Sequence, residues 1–250
     1  MWILDLTRDL WTRLTFGPED ERFPTWSADG QHVAFGVAED GVARTGADGS
    51  GPVESLDPTP ERFPVWFTAD GDLIYMGRDD SGGPDIGLLP LCDPGKDTVL
   101  LESEFIERNA TVSPDGRWLA YGSNETGRFE VYVRPFPEVG AFRRQISTLG
   151  GRWPVWNPSG NELFFLGDAG VVAVPYDDTP TFTPGAPVTL FDWPQPTVTQ
   201  GNRRMAVSPD GQRFLLLRDR VAATADDDNP AQVIVVENWF EELKRLAPTP

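Results

Sequence analysis

Five arginines recur at one place in a repeating chain. Arg22, Arg62, Arg108, Arg152 and Arg203 each stand shortly before a turn glycine, four of them eight residues ahead of it and Arg62 nine ahead. With 39 acidic and 21 basic residues, the protein is strongly negative, and these arginines concentrate positive charge at one repeat position. A guanidinium presents a planar fork of donors that fits a carboxylate or phosphate through two parallel hydrogen bonds. Two such groups about 10 Å apart in water repel by only ~0.4 kcal/mol, so a ring of them is tolerable. Two readings follow. In one, the ring is a ligand-binding site for an acidic peptide tail or a small anionic ligand. In the other, the arginines brace neighbouring repeats. Glu21, Glu61 and Glu107 directly precede three of them. Strand neighbours point to opposite faces, so each glutamate would reach the next repeat rather than its own arginine.

Other chemistry has little to work with. His32 is the only histidine and lies beside Val33 and Phe35, which leaves a serine hydrolase without its base. There is no Gly-x-Ser-x-Gly elbow and no glycine-rich phosphate loop. One histidine and one cysteine, Cys92, cannot build a transition-metal shell. No catalytic residue, metal ligand or cofactor is therefore expected. The acidic runs Glu19-Asp20-Glu21, Asp79-Asp80, Asp177-Asp178 and Asp226-Asp227-Asp228 offer oxygen ligands of the kind calcium takes, but none has the spacing of a calcium loop. A net charge of −18 excludes a general nucleic-acid binder, which needs a basic surface to displace counterions, and disfavours an anionic membrane surface. No apolar run approaches the roughly 18 residues of a bilayer span. Met1 to Asp5 has neither the basic nor the apolar region of a signal peptide.

The elements that position the arginines come from an internal repeat. The turn reads Trp26-Ser27-Ala28-Asp29-Gly30, Phe67-Thr68-Ala69-Asp70-Gly71, Val112-Ser113-Pro114-Asp115-Gly116, Trp156-Asn157-Pro158-Ser159-Gly160 and Val207-Ser208-Pro209-Asp210-Gly211. Its glycines are 41, 45, 44 and 51 residues apart, the period of a four-stranded propeller blade. Asp can bond its own backbone in such a turn, and Gly accepts positive φ. An apolar strand follows each turn, and near-continuous apolarity predicts burial on both faces. The alternation at Phe129 to Arg134 predicts a third strand with one wet face. Trp26, Phe67 and Trp156, at one repeat position, are expected to pack between blades.

The fold class is all-β, a β-propeller of the six-bladed type with an incomplete first blade: either the chain is a fragment of a six-bladed propeller, or the N-terminal hairpin docks onto the last blade and closes the ring. Residues 1–20 form an outer hairpin, and blades follow at 21–60, 61–106, 107–150, 151–200 and 201–250. A helix is expected over Trp239 to Leu246. The innermost strand of each blade lines the central channel, which puts the arginines around one mouth.

The Ser-Pro-Asp-Gly turn and its apolar strand resemble the TolB-type, WD-repeat-like propeller repeat. Gly151 to Trp156, Glu130 to Pro137 and the terminal Asn238 to Leu246 further resemble the C-terminal propeller of bacterial membrane-anchored serine/threonine kinases. That resemblance implies an extracytoplasmic, non-catalytic sensor or interaction domain with a protein or peptide partner. The alternatives are an accessory propeller of a prolyl-oligopeptidase-like hydrolase and a propeller lyase or glycosidase.

Overall fold

The structure is a computed structural model and describes residues 1–78, 84–179, 181–193, 203–217 and 234–236. The runs at Asp79 and Asp226 and the helix expected at Trp239 lie outside these residues. A two-stranded hairpin, β1 (Trp2–Asp5) and β2 (Leu10–Arg13), comes first. Repeat 1 is a sheet of β3 (Glu21–Trp26), β4 (His32–Val37), β5 (Gly41–Gly46) and β6 (Glu54–Asp57). Repeat 2 pairs β7 (Phe63–Phe67), β8 (Leu73–Arg78), β9 (Pro84–Leu89) and β10 (Thr98–Leu101) in the same order. Repeat 3 does so with β11 (Glu107–Val112), β12 (Trp118–Ser123), β13 (Glu130–Pro135) and β14 (Arg144–Gln145). In repeat 4, β15 (Arg152–Trp156) and β16 (Glu162–Leu166) lead to a long β17 (Gly170–Asp177), which takes both β18 (Thr183–Pro184) and β19 (Val188–Asp192). Repeat 5 contributes β20 (Met205–Val207), β21 (Phe214–Leu216) and β22 (Ile234–Val236). Every pairing is antiparallel.

Local chemistry makes the turns. Ser27 Oγ donates to Asp29, and the Asp29 carboxylate accepts the Gln31 N–H at 2.9 Å. Asp115 and Asp210 repeat this scheme. Gly30, Gly71, Gly116 and Gly211 take φ between 69° and 88°, which a side chain would resist. Repeat 4 departs from the scheme: Asn157 replaces the serine and donates to Glu162 at 2.9 Å.

The core lies between blades. The inner strands pack in chain order, β3 on β7, β7 on β11, β11 on β15 and β15 on β20. Ala34 and Val42 of repeat 1 join Phe67, Leu73 and Tyr75 of repeat 2. Ile74 and Ile86 of repeat 2 join Val112 and Leu119 of repeat 3. Trp118, Ala120 and Val133 of repeat 3 meet Trp156, Leu163 and Phe165 of repeat 4, and Phe164 and Leu166 continue to Phe214 and Leu216 of repeat 5. The second strands are buried on both faces, as their apolar runs predict, with all six residues of β12 buried.

Two expectations change. The alternating third strand has no wet face at its centre, because Glu130 to Val133 are all buried. Glu130 is accommodated by the returning loop: it accepts from the Ser147 hydroxyl, from the Gly150 N–H at 3.1 Å and from Arg128 Nε at 2.6 Å. Trp26 is the second change. It is exposed, whereas Phe67 and Trp156 are buried between blades.

Candidate functional site

The arginines sit beside a repeated irregularity of the inner strand. Arg22 pairs with Gly36 and Thr25 with Ala34, so two residues of β3 oppose one of β4. The same bulge recurs between Arg108 and Thr111 and between Arg152 and Val155. In each case the residue after the arginine is left-handed: Phe23 at φ 55°, Asn109 at 57° and Trp153 at 50°. A bulge bends its strand and re-aims the side chains around it. Repeat 2 is built differently, with its bulge between Pro64 and Trp66 and its left-handed residue at Glu61. This is the physical form of the one-residue offset of Arg62. The bulge had a sequence signal. Arg-aromatic-Pro recurs at 22–24, 62–64 and 152–154, and proline inside a strand is confined to edges and bulges.

The five guanidinium groups have different surroundings. Arg22 is exposed and bonds Asp20 at 2.7 Å. Arg62 bridges Asp57 of repeat 1 and Asp97 of repeat 2, at 2.8 and 2.9 Å, and lies 4.4 Å over the Tyr75 ring. Gly77 leaves it room, since a Cβ there would stand 3.3 Å from Arg62 Cγ. Burial works against the charge of Asp57, but Thr59 and Arg62 outweigh it and hold the carboxyl below the usual carboxylate range. Arg108 is half-buried at the head of β11, opposite Gly122. Arg152 stacks 4.5 Å over Phe129 of repeat 3, and desolvation lowers its pKa against the pull of Asp168. Bracing between repeats therefore does occur at Arg62, through Asp57 at the end of β6 and Asp97 in the loop before β10 rather than through the preceding glutamates.

Arg203 is the one that enters the channel. Its Nη2 donates to the Val65 carbonyl at 2.7 Å, and its guanidinium lies 4.6 Å over the Trp66 ring, both in repeat 2. Desolvation pushes its pKa down to about 10, so it stays charged at neutral pH. Among the described residues, no carboxylate forms an ion pair with it. Phe23, Pro64, Asn109, Trp153 and Arg203, one from each repeat, converge on a cavity of about 20 Å³. That is room for about one water, so the channel is closed at this level.

Beyond the constriction, on the side of the turns, a cleft of about 370 Å³ opens. Pro24, Trp26, Trp66, Val112 and Pro114 line it, and Arg203 belongs to its wall. The cleft thus lies at the ends of the inner strands, not at their starts, where the arginines stand in sequence. It joins apolar, partly aromatic walls to one desolvated cation. Such a site can hold an apolar group and pair a carboxylate. Among the described residues, no group of three or more His, Cys, Asp or Glu side chains is placed to hold a metal ion. The described helices include none long and apolar enough to cross a membrane.

No family model matches the chain. An uncharacterised protein of Agrobacterium fabrum is 31% identical over a 134-residue alignment that covers 50% of this chain and 44% of that protein. The structure of TolB from Acinetobacter baumannii aligns with a TM-score of 0.69 at 14% identity, over 88% of this chain and 54% of that one. A puromycin-hydrolysing peptidase of Mycobacterium tuberculosis aligns at 0.58 and 18% identity, over 83% of this chain and 38% of the peptidase. The chain therefore spans about half the length of TolB and less than half of the curated relative. At such identities likeness speaks for fold alone, and propellers host many activities. The fold is that of a TolB-type β-propeller.

Proposed function

We propose that this propeller is a non-catalytic recognition domain that binds the acidic end of a protein or peptide, or a small carboxylate, in the turn-side cleft. Arg203 carries the reading. A desolvated guanidinium with no described carboxylate partner, set in an apolar wall, is costly unless a ligand completes its hydrogen bonds. The ligand's carboxylate would meet Arg203, and an apolar neighbour would rest on Trp66. The other four arginines then serve the framework. Calorimetric titration with dicarboxylates and acidic C-terminal peptides tests this. Binding should weaken at least tenfold in Arg203→Leu and stay unchanged in Arg22→Ala, whose guanidinium already holds Asp20. No binding of any anion, or equal loss in both variants, overturns it.

The wider setting follows the sequence resemblance. We place the domain outside the cytoplasm, in a membrane-anchored serine/threonine kinase, on the strength of Gly151 to Trp156 and Glu130 to Pro137. The segment Asn238 to Leu246 that also supports it lies outside the described residues. A second reading, an accessory propeller of a hydrolase, is favoured by the likeness to the puromycin-hydrolysing peptidase. A catalytic α/β domain encoded beside this chain would decide for it, and a kinase domain would decide for the first.

A further inference from the structure

The constriction of the channel is walled by hydrogen-bond donors. Three of its residues, Phe23, Asn109 and Trp153, are the left-handed residues of the inner-strand bulges, which re-aim the chain there. The polar side chains of the wall are Asn109, Trp153 and Arg203. An indole N–H only donates, and a guanidinium carries five donors and no acceptor. Trp153 is 2% exposed, and its indole N–H has no hydrogen-bond partner among the described residues. Arg203 gives one N–H to the carbonyl of Val65, which also lines the cavity and is thereby engaged.

These walls add a full positive charge to spare donors. A guanidinium taken out of water is costly to keep unless an opposite charge stands near it. No described carboxylate pairs with Arg203, and residues 194–202, the stretch that leads into it, contain no Asp or Glu. Size then selects the occupant. The cavity of about 20 Å³ exceeds the roughly 10–15 Å³ that one water needs but is too small for a carboxylate or a phosphate. A water fits, yet its two hydrogens need acceptors and it leaves the charge unanswered.

We propose that the constriction binds one halide ion, chloride in ordinary salt, held by Arg203, the Trp153 indole N–H and the Asn109 amide. The ion would link side chains of repeats 3, 4 and 5 at the centre of the ring. Neither Trp153 nor Asn109 lines the turn-side cleft, so the ion does not rest on the carboxylate reading.

Thermal unfolding of the full chain at fixed ionic strength tests this. The melting temperature should rise saturably as chloride or bromide replaces methanesulfonate, because an ion bound only by the folded state stabilises it. The apparent halide dissociation constant should increase at least tenfold in Arg203→Leu and in Trp153→Phe, and several-fold in Asn109→Gly. Glycine takes the left-handed backbone of Asn109 without strain, so that variant removes the amide alone. Circular dichroism checks that all three fold. Crystals grown in bromide should show an anomalous peak in the constriction. In methanesulfonate, Trp153→Phe should keep acidic-peptide binding while Arg203→Leu loses it, so this proposal and that of the cleft fail separately. Equal melting in chloride and methanesulfonate, or a halide response unchanged in Trp153→Phe and Asn109→Gly, overturns the proposal. So does a constriction that holds only a water when crystals are grown in bromide.

Discussion

Trp156 and Trp26 share a residue type, a register and a preceding Arg-aromatic-Pro, and differ in burial: one is 2% exposed, the other 52%. An indole buries on the order of 150–250 Å², worth roughly 4–6 kcal/mol at about 25 cal/mol per Å². At the junction of repeats 3 and 4 that burial is complete and is joined by a hydrogen bond across the blades. At Trp26 about half of it is left in water. Repeat proteins hold together through nearest-neighbour interfaces, so the stability of each blade depends on what stands beside it. The glutamates before the arginines show the same contrast. Glu107, in a closed junction, is buried, and desolvation raises its pKa against the pull of Ser103 and Arg134. Glu21, at the start of repeat 1, is only partly covered and pairs with the Met1 ammonium at 2.6 Å.

Three substitutions sharpen the comparison. Trp156→Ala should cost about 3–5 kcal/mol in urea unfolding, because it leaves a cavity between two blades. A loss below about 1 kcal/mol would mean the buried indole contributes no more than the half-exposed one. Glu107→Gln should act in the opposite direction and depend on pH. A carboxyl whose folded pKa is raised contributes most below its unfolded value near 4.3, and that contribution is lost as pH rises through the folded pKa. The variant should therefore melt a few degrees higher than the parent at pH 7.5 and match it below pH 4. A higher melting temperature that persists at pH 3.5 would assign the gain to packing instead. Trp26→Ala should be the mildest, under about 1 kcal/mol by the same urea titration. A cost near that of Trp156→Ala would show that Trp26 is covered in solution.

The repeat was legible because it is local. Asp29, Asp115 and Asp210 close their turns within two residues, and the glycines that follow need only their own backbone freedom. The bulge was half-legible, through the prolines at 24, 64 and 154. The wet face expected for Phe129 to Arg134 was misread, since Glu130 finds its partners 17 and 20 residues on, in a loop whose course alternation does not report. The arginines illustrate the limit most plainly. Their shared position can be read from the turn spacing, but Arg62 donates to Asp97, 35 residues away, and Arg203 donates one bond to Val65, 138 residues away.

What the order of residues determined by itself was the blade period, the turns, the buried second strands and the placing of an arginine near the start of each inner strand. Only the packed structure decided where each arginine points, where the channel closes, and that one of three equivalent aromatic positions faces water. The physical reason is reach. Turn geometry and strand propensity act over a few residues, whereas burial depends on which blade the ring brings alongside, and Trp26 is left half in water.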